Sequence, residues 1–369
     1  MLKQLFVNTD CIIIGGSVRA AAASAIRAGL RPWCADKFAD ADLCAMAPTR
    51  FIVGDDYPNS LPSLIRDAPP GPVIYTGGLE NYPAIIGAIS HERTIWGNSS
   101  ETLIGVRDPF RVASLLRRHG LPSLPVSEEP FRDRSCVRKL RASAGGGGIR
   151  MAAADDAPLD GWYFQQFQPG EAYAAIFCAH RSLELLGVTR QLTGCEWLNA
   201  QPFAYAGSIG PVELMATPQA ALERIARVLV DEFQLRGLFG IDFVLDDDQV
   251  WLIEINPRYT ASVEVLERAF DFTAITHHRA AFTGEPLPPR GLPLRYAGKA
   301  IYYAPFSLKI PDELFTHREW LADLPRPGDR IEERWPVVTI FAEGEAPEIV
   351  ELRLRERVRI IADCLAASL

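Results

Sequence analysis

Three stretches carry residues that could do chemistry. In the hairpin sequence GLFGIDFVLDDDQVWLIEINPR, Asp242, Glu254 and Asn256 offer oxygen ligands, and Arg258 follows directly. A strand points alternate side chains to opposite faces, so Leu252, Glu254 and Asn256 share one side and Ile253 and Ile255 the other. A simple core strand has no need of two polar groups beside Leu252. If Asp242 faces Glu254 across the hairpin, the three side chains suit a hard divalent cation, Mg²⁺ or in its place Mn²⁺, which takes oxygen ligands and keeps positions for phosphate and water. That register requires a three-residue turn or a bulge at DDQ, because a two-residue turn at Asp247 and Asp248 puts Asp242 on the wrong face. Arg258 adds a guanidinium able to grip a phosphoryl group or a carboxylate. The competing reading is an edge hairpin with a solvated acidic face.

The second stretch places Lys139 before Gly145, Gly146, Gly147 and Gly148. Four consecutive glycines are costly to order and pack nothing, but their N–H groups can cover phosphates as a flap, with Lys139 as fixed positive charge. A flexible surface loop is the alternative, and no GKS or GKT makes this a Walker loop. Third, QQFQPGEAYA gives Gln165, Gln166, Phe167 and Gln168, a turn at Pro169 and Gly170, and Glu171. A carboxylate there can accept ribose hydroxyl protons while the preceding backbone pairs with an adenine edge; turn glutamates are otherwise usually solvated.

The elements that must hold these residues are legible as patterns. Over the first hundred residues CIIIGG, SVRAAAASAIRAG, RPWCADKF, PVIYTGG, NYPAIIGAIS and RTIWGN alternate strand, glycine turn and helix, which predicts a parallel α/β sheet. GGSVRAA lacks the full GxGxxG of a dinucleotide site. A helix is expected from about residue 109 to 119, ending at Gly120. WYFQQFQPGEAYAAIFCA and SLELLGVTRQL supply strands, AALERIARVLVDEFQL a helix, and the Pro-rich tail the short strands IYYAP and VVTIFA. Ser262 is placed to N-cap the helix VEVLERAF.

Composition excludes several classes. The chain has 369 residues, 48% hydrophobic and 23% charged. No apolar run approaches the roughly 20 residues of a membrane span, and the first residues lack the order of a signal peptide; a cytoplasmic protein without a membrane partner is expected. A net charge of −8 disfavours nucleic acid. Seven scattered cysteines without CxxC read as reduced thiols, and the dispersed histidines give no zinc site.

Taken in order, Lys139 with its glycine flap, the hinge ending in Glu171, Asp242, and Glu254 with Asn256 and Arg258 resemble the ATP-grasp superfamily, which includes carboxylate–amine ligases, biotin carboxylases and carbamoyl phosphate synthases. The resemblance covers about residues 100–290. It implies an α/β chain: an N-terminal parallel α/β domain (1–100), then a two-subdomain ATP-grasp fold with a linker helix and lid (101–200) and a metal-binding part (201–290), closed by a β-rich segment (291–369). Lys139 would bind ATP phosphates under Gly145 to Gly148, Gln165 to Gln168 would form the adenine hinge, and Glu171 would hold the ribose. Asp242, Glu254 and Asn256 would hold Mg²⁺, and Arg258 would stabilise the transferred phosphoryl group or an acyl phosphate.

There are departures. Pro109 stands where relatives carry a cation, with Arg107 or Arg111 to replace its charge. The hinge acids are glutamines, and the FGI before Asp242 lacks the arginine of D-alanine–D-alanine ligases. GVTRQLTG, NPRYTASVE and the tail resemble a carbamoyl phosphate synthase-like group, some members of which occur with genes for methanofuran-type one-carbon cofactors; Arg190 and Gln191 would then face the substrate. The expected activity is an ADP-forming ligase joining a small carboxylate to an amine through an acyl phosphate, with glutamate addition as the leading guess and a homodimer allowed. A carboxylase or carbamoyl phosphate-forming enzyme and a catalytically weak regulatory subunit are the alternatives.

Overall fold

The computed structural model describes residues 9–366 other than Val53. The N-terminal sheet is parallel, in the order Thr49–Phe51, Pro32–Asp36, Cys11–Gly15, Val73–Tyr75. Its two central strands are buried along their whole length, which is why they are apolar without alternation. Cys11 and Ile13 pack toward the helices Arg19–Arg27, Val263–Phe270 and Ala274–Thr283. Ile12 and Ile14 pack toward Leu61, Ile65, Ile86 and Ile89. The RTIWGN segment, expected as a strand, contributes only an isolated bridge from Ile95 to Val73.

Two antiparallel sheets that carry the site follow, besides a two-stranded antiparallel pair of Leu308–Lys309 with Arg330–Ile331. A small one, ordered Val126–Ser127, Trp162–Gln166, Cys136–Leu140, Ile149–Met151, carries Lys139 and the start of the hinge. A large one has eight strands in the order Gln249–Asn256, Gly237–Asp246, Glu171–Ala179, Leu183–Thr193, Tyr205–Gly210, Tyr296–Tyr303, Pro336–Gly344, Leu321–Ala322. Helices Pro109–Arg118 and Ala216–Phe233 cover one face, setting Leu115, Leu222 and Leu229 against Phe177, Phe239 and Phe243. Pro109 is the first residue of its helix, and Asp108 caps it by accepting the Phe110 and Arg111 amides at 2.9 and 3.2 Å. The proline that displaces the usual cation therefore starts a helix, where a missing N–H costs nothing.

The hairpin corrects the expected turn. Asp242 does pair with Glu254, yet Asp246 pairs with Gln249, leaving the two-residue turn Asp247–Asp248 with Asp247 at φ +49°. The extra residue is Ile253: Phe243 pairs with Leu252, so two residues oppose Asp242 in a bulge. The bulge also undoes the assumed facing of Leu252. Leu252 joins Ile255 and Val250 in the helix-covered core, while Ile253 and Glu254 both line the cleft on the other side.

The tail is not only β-rich. Its strands Tyr296–Tyr303 and Pro336–Gly344 extend the large sheet, but a 20-residue helix, Pro347–Ala366, lies on them through Val350, Leu354, Val358, Ile361 and Leu365. A buried ion network joins the parts of the chain. Arg19, from the GGSVRA turn, pairs with Glu264 and with Asp323 (2.9 Å), and Lys299 reaches Glu264 at 3.2 Å. Burial opposes ionisation of Glu264, but Arg19 and Lys299 outweigh it and hold the carboxyl well below its usual range. Removing one member of such a network leaves an uncompensated buried charge. Among the described residues no helix is long and apolar enough to cross a membrane.

Candidate active site

A cleft of about 710 Å³ opens between the small sheet and the large one. From the small sheet comes Lys139, 4% exposed, whose Nζ donates to Gln165 Oε1 at 3.2 Å and to the Ile253 carbonyl at 3.4 Å, with the Tyr163 ring 5.8 Å away. Gln165 is thereby committed to Lys139. Gln166, Phe167, Gln168 and Glu171 line the cleft. Glu171 is oriented by the Tyr173 hydroxyl at 2.7 Å, and Gln168 donates to Asp246 at 3.0 Å.

The glycine loop divides. Gly145 and Gly146 line the cleft, and the Tyr205 amide donates to the Gly145 carbonyl at 3.1 Å. Gly146, at φ +81°, sits so tightly that a Cβ would fall 1.9 Å from the Phe203 carbonyl oxygen. Gly148 turns the chain back onto Leu140, and Gly147 donates to the Ala144 carbonyl at 3.2 Å; neither lines the cleft.

Opposite stand the acids. Gln191 donates to Asp242 Oδ1 and Asn256 to Asp242 Oδ2, each at 2.9 Å. Ala174, which pairs with both Asp242 and Thr189, is small enough for Gln191 to reach over the intervening strand. Arg107 pairs with Glu254 Oε1 and also holds Asn81 Oδ1 (3.0 Å) and the Ser143 carbonyl (3.2 Å) at the root of the glycine loop. Arg111 is turned away, 4.0 Å from Glu232 and over the Phe233 ring, and lines no part of the cleft. Of the two cations offered in place of Pro109, Arg107 is the one that reaches the acids, through Glu254.

Burial, and then the charge of Glu254, push the Asp242 carboxyl up to about 7. Burial works the same way on Glu254, but Arg107 and Lys139 outweigh it and keep that carboxyl below its usual range. The pair is therefore short of positive charge at Asp242, and its all-oxygen donors fit a divalent cation. No cluster of three or more His, Cys, Asp or Glu with metal-binding geometry occurs among the described residues. Two carboxylates and an amide, one oxygen each, leave about half the positions of an octahedral ion to phosphate and water.

Arg258 lies at the end of the cleft nearest the N-terminal domain. It pairs with Glu80 at 2.6 Å and donates to Asn256 Oδ1 at 3.0 Å. Arg190 lines the cleft but donates to Glu351 of the last helix at 2.6 Å. Ser262 makes no cap; its Oγ bonds Ser208 at 3.1 Å. Glu80 and Asn81 lie in TGGLEN, the loop that, with the GGSVR turn, the sequence offers as a source of substrate contacts from the N-terminal domain, without marking either residue individually.

Residues 106–262 match the ATP-grasp domain family model. Over 84 residues the chain is 36% identical to the formate-dependent phosphoribosylglycinamide formyltransferase of Azotobacter vinelandii, a match covering 23% of this chain and 21% of that protein. The match thus spans about a fifth of that relative's length. Among solved structures, the N5-carboxyaminoimidazole synthetase of Staphylococcus aureus complexed with ADP superposes with a TM-score of 0.72 at 16% identity, covering 96% and 97% of the two chains. The L-amino acid ligase of Bacillus licheniformis gives 0.70 at 15% identity over 95% and 97%. At such identities the structures speak for the fold alone, and they share it almost end to end. Residues 106–262 are thus an ATP-grasp domain.

Proposed function

We propose that this chain is an ATP- and Mg²⁺-dependent, ADP-forming ligase that joins a small carboxylate to an amine through an acyl phosphate. The observation that carries the reading is the paired Asp242 and Glu254, set beside buried Lys139 and one strand-end away from Arg258. Gln165 to Gln168 and Glu171 orient the nucleoside, and Lys139 with Gly145 and Gly146 holds its phosphates. Asp242, Glu254 and, once its oxygen leaves Arg258, Asn256 would hold Mg²⁺, which would supply positive charge to offset that of the phosphates. Arg258 holds the acid so that a carboxylate oxygen can attack the γ-phosphorus as the bond to ADP breaks. Nitrogen of the amine then forms the C–N bond, phosphate leaves with the C–O electron pair, and the surplus proton goes to phosphate or water. Fixed donors matter more here than a nucleophile, since positioning and charge stabilisation lower this barrier.

A one-carbon acid is the second reading, favoured by the formate-dependent relative; glutamate addition in methanofuran-type cofactor synthesis rests on the resemblance of the tail. The test is ADP release over a matrix of acids (formate, bicarbonate, acetate, glutamate) and amines. Release that needs both an acid and an amine supports the ligase. Release with bicarbonate alone points to the carboxylase-like reading, and nucleotide binding without turnover in any combination points to a regulatory subunit.

A further inference from the structure

The carboxyl ends of the N-terminal strands, where open α/β sheets receive ligands, form a half-exposed glycine cradle next to Arg258. A Cβ at Gly77 would lie 3.5 Å from Arg258 Cζ, one at Gly78 3.3 Å from the Tyr57 hydroxyl, and one at Gly16 3.4 Å from the Gly77 carbonyl. Gly78 has φ +94°. Side chains at these positions would fill the space between Tyr57 and Arg258.

The two ends of the cradle carry groups of opposite charge, each with polar atoms left without a partner among the described residues. At its base Glu80 is 1% exposed; Oε1 pairs with Arg258, while Oε2 has no partner among the described residues, nor has the Tyr57 hydroxyl. Buried polar atoms are rarely left so. At the mouth, Lys37 Nζ stands 5.9 Å from the centroids of both the Tyr57 and Trp335 rings, with no carboxylate paired to it among the described residues. Neighbouring Asp36 is spent on the Val18, Phe38 and Ala39 amides. Trp335 is 50% exposed, so the mouth is open.

We propose that this cradle is the acceptor subsite and takes a small amino acid, its ammonium on Glu80 and its carboxylate toward Lys37. The inference rests on the ligase reading, because it sets the amine on one side of Arg258 and the activated acid on the other.

Saturation-transfer NMR on the full chain tests it with glycine, β-alanine, 4-aminobutyrate and glutamate, against propylamine and butyrate as half-ligands. At least one amino acid is expected to bind about tenfold tighter than either half-ligand, the worth of one charge-assisted hydrogen bond. Glu80→Gln should weaken the amino acid and propylamine but not butyrate, and Lys37→Met should weaken the amino acid and butyrate but not propylamine. Lys37 is partly exposed, so its variant decides the matter even if Glu80→Gln misfolds through unpaired Arg258. Absence of amino acid binding in protein that binds MgADP overturns the subsite and leaves the ligase reading standing, as does an equal loss of all probes in the Lys37 variant. Absence of MgADP binding overturns the ligase reading instead.

Discussion

The carbonyl oxygen of Ile253 lies 3.4 Å from Nζ of Lys139, and it is free to do so because Ile253 is the extra residue of the bulge opposite Asp242. Deleting Ile253 restores regular pairing and keeps an acid opposite Asp242, but removes this acceptor and the apolar lining it brings. The folded protein should persist, with MgADP affinity reduced about tenfold, the worth of a hydrogen bond to a charged group. Calorimetric titration measures this; unchanged affinity would show that the bulge is incidental.

Arg107 is the countercharge of Glu254 and a clasp between Asn81 and Ser143. Arg107→Ala should lower stability by about 1–3 kcal/mol, discounted from a fully buried pair because both side chains keep some solvent contact. Mg²⁺ with ADP should recover more of the melting temperature in the variant than in the parent, since the cation supplies the missing charge. Equal recovery in both proteins would contradict that role.

Gly146 touches the Phe203 backbone at a positive φ. Gly146→Ala should dislodge the flap from the 203–205 segment, raising the KM for ATP about tenfold, while the loop's exposure keeps the loss of global stability below about 1–2 kcal/mol. An unaltered KM would remove the flap from nucleotide binding.

Asp242, pushed up to about 7 in the fold, ionises near 3.9 in the unfolded chain. Between those values the folded state holds the extra proton, so this group makes stability fall as pH rises from about 4 to about 7. A cation displaces that proton, and Mg²⁺ affinity should rise over the same window. Asp242→Asn should therefore gain stability relative to the parent on going from pH 5 to pH 8 without Mg²⁺, and lose the pH dependence of Mg²⁺ binding. Denaturant titrations at the two pH values decide it; a constant difference between the proteins would contradict the assignment.

Order along the chain made much of the cleft legible: Lys139, the glycines, Glu171, Asp242, Glu254 and Arg258 are local signals in strands and turns. What was not legible depends on partners remote in sequence. Arg107 finds Glu254, Arg190 is taken by Glu351, and Arg258 by Glu80 only once the domains pack. The bulge at Ile253 escaped because alternation alone puts Leu252 beside Glu254, and one inserted residue reverses every assignment beyond it. Helix Pro347–Ala366 was readable, with Val350, Leu354, Val358, Ile361 and Leu365 at helical spacing behind an N-terminal proline; its many charges drew attention away from that stripe.

The measurement that bears most directly on the central claim is calorimetric titration of ADP into the full chain, with saturating Mg²⁺ and with EDTA, alongside Glu254→Gln and Lys139→Ala. Micromolar binding that weakens by about tenfold or more on chelation and in both variants is the predicted result, each losing a charged contact to the phosphates. Binding of equal strength with and without Mg²⁺, or in Glu254→Gln, would contradict the assignment of this cleft as a metal–nucleotide site.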